Sequence, residues 1–242
     1  MASEFRLHST AYTIEDQQRM AKAANYLAWQ ARLVLPELGQ RVLELGCGLG
    51  NFTAKLLDRE AVAAVDVDAE CVNRLQQRFP KQKNLQAMVC DTSSACFADL
   101  ASFRPDSCLC MNVLEHIADD RRALRTIASI LEPDGVIVLY VPAFQGLYGA
   151  VDWNLGHYRR YTRPSIARLA EASGLAVKKQ HYVNAAGFFG WWLCSRVLRQ
   201  PGWSERQIET FDRFIAPWLS RVEALAPPPF GQSLLAVLKK SL

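Results

Sequence analysis

Three glycines alternate along the stretch from Glu44 to Gly50, which has the pattern E-x-G-x-G-x-G. A short apolar run precedes it, so the stretch is expected to be the turn between a buried parallel strand and a helix. Glycine removes the side chain where a ligand or a tight turn must come close. The dinucleotide fingerprint G-x-G-x-x-G would need a glycine at position 51, where this chain has Asn51. The pattern therefore predicts a nucleotide-type cofactor and disfavours NAD.

Polar residues follow the next three predicted strands as well. Asp66 lies twenty residues after Gly46, where an acidic side chain can accept hydrogen bonds from a ribose. Asp91 ends the third strand, and residues 111–117, MNVLEHI, end the fourth. Each feature alone could be a helix cap or a tight turn. Their order along the chain favours one cofactor pocket at the carboxyl edge of a parallel sheet.

A second polar cluster follows the fifth predicted strand, in residues 152–162, DWNLGHYRRYT. It offers a base, two phenols and two guanidinium groups that could pair with an anion: His157, Tyr158, Tyr161, Arg159 and Arg160. The alternative is that the tyrosines and arginines hold this loop against the sheet. His116 is a second candidate base, and its alternative is a packing residue at the start of a helix.

Strand-like and helix-like segments alternate along most of the chain. The predicted strands are 42–45, 61–67, 85–89, 106–113, 136–141, 177–183 and 233–238. The predicted helices are 16–35, a first crossover helix after the glycine turn, 69–79, 119–131 and 162–173. This alternation predicts an α/β fold with right-handed crossovers and a mainly parallel sheet.

Composition bounds the function and the compartment. The chain has 242 residues, 21% of them charged, and its net charge of +4 is far from the dense basic stripe of a nucleic-acid binder. The seven cysteines form no C-x-x-C pair, so we expect no metal site. Cys90, Cys108 and Cys110 lie in apolar runs and are expected to be thiols that pack as small hydrophobes in a reducing, cytoplasmic compartment. The N-terminus has no signal-peptide pattern.

An aromatic segment of about fifty residues, 184–232, separates the last two predicted strands. Its helical spacing could form a lid over an acceptor pocket, a homodimer face or a peripheral contact with a membrane. Phe188, Trp191 and Trp192 are its candidate acceptor contacts. The apolar stretch from Ala185 to Leu198 is too short to span a membrane.

Five stretches resemble the successive motifs of the class I S-adenosylmethionine-dependent methyltransferases. They are VLELGCGLGNFT, AVDVD, MVCDTSS, PDSCLCMNVLEHI and LEPDGVIVLYVP. The resemblance covers about residues 25 to 183 and the last strand. It implies one methyltransferase domain, 1–242, with a Rossmann-like sheet of seven strands, mainly parallel with an antiparallel last strand and helices on both faces. It also implies an N-terminal helical segment, 1–36, over the active site and a helical insertion, 184–232, between strands six and seven.

The resemblance further implies roles for single residues. Glu44 and the first two glycines of the turn would hold the methionine end of the cofactor, Asp66 the ribose hydroxyls and Asp91 the adenine amino group. Met111 and Asn112 would lie under the sulfonium. The cofactor set comprises Glu44, Gly46, Cys47, Gly48, Gly50, Asp66, Val67, Asp91, Thr92, Met111 and Asn112. The catalytic set comprises His116, His157, Tyr158 and Tyr161, and the acceptor set Asp152, Arg159, Arg160, Phe188, Trp191 and Trp192.

The expected reaction is methyl transfer to a small acceptor, with S-adenosylhomocysteine as the product. The second cluster and the aromatic tail resemble a bacterial subgroup associated with lipid-linked sugars and secondary metabolism, which favours an apolar or lipid-like acceptor. O-methylation is favoured over C- or N-methylation, and a base is needed only if the acceptor is protonated. A nucleic-acid acceptor is not expected, since no N-P-P-Y or D-P-P-Y motif follows strand four. Two alternatives remain, an NAD-dependent oxidoreductase and a non-catalytic S-adenosylmethionine-binding partner.

Overall fold

A computed structural model, which describes residues 10–198 and 202–240, has one mixed sheet of seven strands at its centre. The strands are β1 Arg41–Leu45, β2 Ala61–Asp66, β3 Leu85–Val89, β4 Ser107–Met111, β5 Val136–Pro142, β6 Leu175–Val183 and β7 Ser233–Lys240. Their order is β3-β2-β1-β4-β5-β7-β6. Neighbouring strands among β1 to β5 are parallel, and β7 runs antiparallel to both β5 and β6. The predicted fold class is confirmed.

Helices cover both faces of this sheet. They are α1 Thr10–Ala21, α2 Ala24–Val34, α3 Ala69–Arg78, α4 Cys96–Asp99, α5 Asp120–Ile130, α6 Ala150–Leu155, α7 Arg163–Ala172, α8 Ala185–Trp191, α9 Glu205–Thr210 and α10 Ala216–Leu225. Two π-helical segments, Trp192–Val197 and Phe211–Ile215, extend α8 and join α9 to α10. Of the described helices, none is both long enough and apolar enough to cross a membrane.

Alternating side chains of the central strands fill two separate cores. In β1, Leu43 packs in the core that contains Leu124 of α5, whereas Val42 packs in the core that contains Trp29 of α2. All three apolar side chains of β1 are buried, as expected for a parallel strand covered on both faces. Glu44 lies between them in sequence and is also buried, so a carboxyl group is carried into the centre of the molecule.

The single helix predicted over 16–35 is wrong, since α1 ends at Ala21 and α2 begins at Ala24. The cause is a carboxylate far away in sequence. Asp212 accepts hydrogen bonds from the backbone N–H groups of Asn25 at 3.3 Å and Tyr26 at 2.8 Å, and so caps the first turn of α2. No residue near the break could have signalled this cap.

The crossover helix predicted after the glycine turn is also wrong. Only a 3₁₀ turn, Thr53–Lys55, forms there, followed by turns that lead into β2. The Thr53 hydroxyl is buried and donates to the Glu44 carboxylate at 2.6 Å. The chain is thus held close to β1, and too few residues remain before Ala61 for a regular helix.

The end of β4 and the state of Cys90 also differ from the prediction. β4 ends at Met111 rather than at position 113, because Asn112 takes a left-handed conformation with φ of 51° and turns the chain out of the strand. Cys90, expected to be a thiol, forms a disulfide with Cys96, six residues later, because the loop between them brings the two Cα atoms to 6.2 Å. Five buried cysteines remain as thiols: Cys47, Cys71, Cys108, Cys110 and Cys194.

Candidate active site

All three glycines of the turn after β1 are in the left-handed region, with φ of 72° at Gly46, 51° at Gly48 and 76° at Gly50. A β-carbon at Gly46 would overlap Val113, and one at Gly50 would overlap Leu75. Side chains at these positions would therefore be both strained and obstructed. The glycine turn, Gly46 to Gly50, is a cradle that only glycine can form.

The carboxylate of Asp66 joins this cradle at the end of β2. It accepts hydrogen bonds from the backbone N–H of Gly48 at 2.8 Å and of Asp68 at 3.0 Å. Burial raises the pKa of Asp66, and these N–H groups oppose the rise. The next side chain, Val67, is apolar yet 67% exposed at the same edge of the sheet. A carboxylate next to a bare apolar surface suits a ribose hydroxyl pair next to an adenine ring.

The loops after β3 and β4 complete the edge. Asp91 accepts a hydrogen bond from the N–H of Ser93 at 2.6 Å, and this bond shapes the turn that contains Thr92. Asp91 and Thr92 can both accept hydrogen bonds, and both are partly exposed. Met111 is partly buried at the end of β4. Asn112 donates its backbone N–H to Tyr140 of β5 at 2.7 Å, and its side chain is exposed.

Glu44 lies beneath the glycine turn with Thr53 as its hydrogen-bond partner. Burial, together with the nearby negative charge of Asp66, raises the pKa of Glu44 to about 8, against the hydrogen bond from Thr53. A buried carboxyl group that lacks a cationic neighbour among the described residues is a suitable partner for the ammonium group of an amino acid. Burial likewise raises the pKa of the Cys47 thiol, so Cys47 packs in the turn and is not reactive.

Helix α1 lies against the glycine turn. The side-chain oxygen of Gln17 accepts a hydrogen bond from the N–H of Leu49 at 2.8 Å. The backbone carbonyl of Gln17 accepts another from the Asn51 side chain at 3.0 Å. The neighbouring Asp16 is half-buried; burial raises its pKa, and the charges of Arg19 and His157 oppose the rise. Sequence reasoning missed Asp16 and Gln17 as site residues, since neither belongs to a motif.

Four residues converge beside this edge, and we call them the carboxylate–histidine cluster: Glu115, His116, Asp152 and His157. The Nδ1 atom of His157 lies 2.8 Å from Asp152 Oδ1, and its Nε2 atom lies 4.0 Å from Glu115 Oε1. The His116 ring packs edge-to-face on the His157 ring, with centroids 4.7 Å apart. Glu115 is fully buried, and burial raises its pKa to about 7 against the charges of His157 and Arg160. Neither of its carboxylate oxygens has a hydrogen-bond partner within the described part of the chain.

Asp152 is fixed by a ring of donors. Arg160 donates to it from Nε at 2.7 Å, the Gly149 N–H at 3.0 Å and the Trp191 indole N–H at 3.3 Å. The Arg160 guanidinium also stacks on the Trp191 ring, 4.3 Å from its centroid. Burial acts to raise the pKa of Asp152, but the hydrogen bond from His157 and the charge of Arg160 hold the pKa below its usual value. Asp152 is therefore an anion that orients His157.

The backbone explains why these residues meet. Gly156 follows α6 with φ of 76° and reverses the chain, so that the His157 N–H donates back to the Asp152 carbonyl at 3.0 Å. The Tyr158 N–H then donates to the Glu115 carbonyl at 2.8 Å. This bond ties the loop after β5 to the 3₁₀ turn after β4, which contains His116.

The remaining candidates of the second cluster face other elements. Tyr161 is 3% exposed, and its hydroxyl donates to Asp120 at 3.0 Å. Arg159 contacts the same carboxylate at 2.9 Å and donates to the carbonyl of Ile117. Tyr158 is exposed beside the Arg159 guanidinium. The contacts of Tyr161 and Arg159 hold the loop to α5, which was the structural alternative for this segment.

The three aromatic candidates of the insertion lie in different surroundings. Trp191 belongs to the support of Asp152 described above. Phe188 packs against Phe144 at 5.6 Å and Phe230 at 5.2 Å between ring centroids. Trp192 is 50% exposed.

Comparisons with known proteins identify the family of this chain. A family model described as a methyltransferase domain matches residues 12–180. The ubiquinone biosynthesis O-methyltransferase of Xanthomonas campestris pv. campestris is 34% identical over 113 residues, 45% of each chain. The ribosomal RNA small subunit methyltransferase A of an Anaeromyxobacter species is 44% identical over 73 residues, 30% of this chain and 25% of that one. The matches span at most about half the length of these two relatives.

Structural similarity extends further along the chain. A chain of the solved complex between the Haloferax volcanii Trm112 methyltransferase activator and a methyltransferase superposes with a TM-score of 0.63 at 20% identity, covering 96% of this chain and 95% of that one. The match to a methyltransferase family model sets the NAD alternative aside. Because the family model covers most of the chain and the fold agrees with it, the protein belongs to the class I S-adenosylmethionine-dependent methyltransferases.

Proposed function

We propose that this methyltransferase methylates a hydroxyl group of a small apolar acceptor. The observation that carries the proposal is the carboxylate–histidine cluster, in which Asp152 orients a buried imidazole beside the edge that holds the cofactor. S-adenosylmethionine supplies an electrophilic methyl group when bound. Oxygen must lose its proton to become a good nucleophile, and a histidine held by a carboxylate is the group that takes up such a proton.

The glycine turn and the acidic residues bind and orient the cofactor in this proposal. Glu44 and the backbone of the turn bind its amino-acid end, Asp66 its ribose, and the loop of Asp91 and Thr92 its adenine. Asn112 and Met111 border the position of the reacting group. Fixing both reactants within about 3 Å, with the acceptor opposite the leaving group, supplies much of the rate of an in-line displacement.

The acceptor is proposed to lie between α1 and the cluster. Asp16 and Gln17 border this space from α1. The charge of His157 acts on the partly buried Asp16, which supports a short distance between α1 and the cluster. Gln17 lies against the glycine turn through its hydrogen bond with Leu49. Trp191 and Arg160 keep Asp152 in place and do not need to touch the acceptor. O-methylation is also the activity in the name of the Xanthomonas relative, which supports oxygen as the acceptor atom.

A peripheral contact with an anionic membrane is proposed for the helical insertion. Its exposed apolar side chains include Phe189, Trp192, Leu193, Val197, Phe214, Trp218, Val222 and Leu225. Among the described residues of the same segment, four arginines, Arg196, Arg206, Arg213 and Arg221, are exposed, against two exposed glutamates, Glu205 and Glu209; Asp212 and Glu223 are used in internal hydrogen bonds. Aromatic side chains with neighbouring arginines favour the lipid interface over a plain dimer face. A lipid-embedded acceptor would then be presented to the enzyme at the membrane surface.

The test is a search for methylated product. Enzyme, S-adenosylmethionine carrying a deuterated methyl group and a lipid extract are incubated, and products heavier by the labelled methyl are found by mass spectrometry. The proposal expects a labelled methyl ether that the His157→Ala variant does not form. A product labelled only on nitrogen or carbon would overturn O-methylation.

A further inference from the structure

We propose that Glu115, His116 and His157 bind a divalent transition-metal ion. Each of the three offers one ligand atom, and these atoms all lie within 4.8 Å of one another. The residues come from two loops at the carboxyl edge of the sheet, the 3₁₀ turn after β4 and the loop after α6. Two imidazoles and one carboxylate are a ligand set typical of transition-metal sites in enzymes.

The buried carboxylate of Glu115 needs a cation or a hydrogen-bond donor as its partner. Its side chain is fully buried, and both carboxylate oxygens are without a hydrogen-bond partner among the residues that the structure describes. A buried carboxylate in this condition is costly unless a cation or donor meets it. The closest ionisable nitrogen, His157 Nε2, lies at 4.0 Å, too far for a hydrogen bond. An ion between the two atoms satisfies both.

His157 is already oriented for a metal. With its Nδ1–H donated to Asp152 at 2.8 Å, the lone pair of Nε2 is left on the side of Glu115. A carboxylate that fixes the tautomer of a histidine ligand in this way is a common support of metal sites. Asp152 is in turn held by Arg160 at 2.7 Å. The positive charge of the ion would be balanced by Glu115 and the half-buried Asp16 nearby.

The ligand types and spacing select the class of ion. Calcium and magnesium take oxygen ligands almost exclusively, whereas imidazole suits zinc, iron, cobalt and related ions. Two ligands of a tetrahedral zinc ion are roughly 3.4 Å apart, so the 4.0 Å gap between Glu115 and His157 must close by roughly half an ångström. Three protein ligands leave a further coordination position open.

The open position gives the ion a role that rests on the proposed function. An acceptor hydroxyl that coordinates the ion becomes more acidic, as water does on zinc, and its proton leaves to solvent. The acceptors favoured are then phenols and other molecules whose oxygen can bind a metal. In the metal-bound enzyme the ion would replace His157 as the group that makes the acceptor hydroxyl reactive, whereas His157 acts as the base only if no ion is bound.

The test measures metal binding without any acceptor. Untagged enzyme is stripped with a chelator and titrated by calorimetry with Zn²⁺, and separately with Co²⁺ while visible absorption is recorded. The proposal expects one tight equivalent, with affinity lowered at least tenfold in Glu115→Gln and in His116→Ala. His181→Ala, which removes a histidine of β6 outside the cluster, should bind as the wild type does.

Binding of S-adenosylhomocysteine by each variant shows that it is folded. Equal Zn²⁺ affinity in the wild type, Glu115→Gln and His116→Ala would overturn the proposal, as would a Co²⁺ spectrum with thiolate charge-transfer bands, which would assign the ion to cysteines. Methylation without metal dependence would overturn the role of the ion and leave O-methylation standing. Tight metal binding that depends on the cluster, without any O-methyl product, would overturn O-methylation and leave the metal site standing.

Discussion

Asp212 of the C-terminal insertion accepts a hydrogen bond from the backbone N–H of Tyr26 at 2.8 Å. The same carboxylate contacts the backbone and side chain of Asn25, so residues about 190 positions apart form one helix cap. The insertion thereby sets where α2 begins, and α1, which lies against the glycine turn, precedes α2 directly. The C-terminal insertion is therefore connected to the glycine turn through α2 and α1.

Asp212→Ala should destabilise the protein. Removing the cap leaves the first N–H groups of α2 without partners in a buried setting, at a cost of about 1–3 kcal/mol. Urea denaturation should show a lower midpoint at unchanged slope. Glu209→Ala removes an exposed carboxylate one turn earlier and should change the midpoint little. Equal effects of the two substitutions would contradict the cap.

Glu44→Gln should change the pH dependence of stability. The pKa of Glu44 is about 8 in the folded chain, above the 4.5 of the unfolded chain, so the folded state binds more protons between these values. Stability from this group is therefore greatest below about pH 4.5 and is lost as the pH rises towards 8. In the apo enzyme the variant should be more stable than the wild type at pH 8–9, by a few kcal/mol at most, since one pKa unit is about 1.4 kcal/mol.

The matched control for Glu44→Gln is Glu60→Gln, at an exposed residue paired with Arg41. It should follow the wild-type curve from pH 5 to 9 in thermal unfolding. Affinity for S-adenosylmethionine should fall in Glu44→Gln alone, because the cofactor ammonium loses its anionic partner. A variant curve parallel to the wild type would show that Glu44 is charged in the apo enzyme.

Asp66→Asn should weaken cofactor binding. A charged acceptor of ribose hydroxyl groups contributes about 1.5–3 kcal/mol, so the Kd for S-adenosylhomocysteine should rise roughly ten- to hundredfold. Asp68→Asn is the control, because Asp68 caps α3 through the Glu70 N–H at 2.8 Å and asparagine caps equally well. Calorimetry that finds both Kd values unchanged would remove Asp66 from the cofactor site.

His116→Ala and His157→Ala should lower turnover more than cofactor affinity. His157 is buried and held by Asp152, so its loss should cost about 10²-fold or more in kcat, with a smaller loss for the exposed His116. His181→Ala serves as the control here too. If kcat on an identified acceptor stays unchanged in both variants, the cluster has no part in the chemistry.

Trp192→Ser combined with Trp218→Ser should reduce binding to anionic vesicles. Each exposed tryptophan contributes apolar area at the interface, so partitioning should fall at least severalfold in a sedimentation assay with phosphatidylglycerol vesicles. Trp153→Ser removes an equally exposed tryptophan of α6 outside the insertion and should have no effect. Full recovery of the wild type in the supernatant, with self-association in light scattering, would assign the apolar face to a dimer.

The glycine turn and the strand ends beside it were predictable because their signals are local. Local sterics fix the turn after β1, because its backbone conformation favours glycine. The alternation of strands and helices places the acidic residue at the end of the next strand. The positions of Glu44, Gly46 and Asp66 at one sheet edge follow from that alternation, and so do the seven strands.

Tertiary packing alone brought the carboxylate–histidine cluster together. Glu115 and Asp152 are far apart in sequence. Burial in the folded chain leaves the Glu115 carboxylate of MNVLEHI without a hydrogen-bond partner among the described residues, and it places Asp152 of DWNLGHYRRYT where it orients the His157 imidazole. The break before α2 depends on Asp212 in the same way. The sequence by itself, through its resemblance to a known family, predicted a sulfonium cofactor, and the family match supports that prediction. Which side chains of the two loops meet in the cluster was decided by long-range contacts, since loop conformations carry no periodic signal.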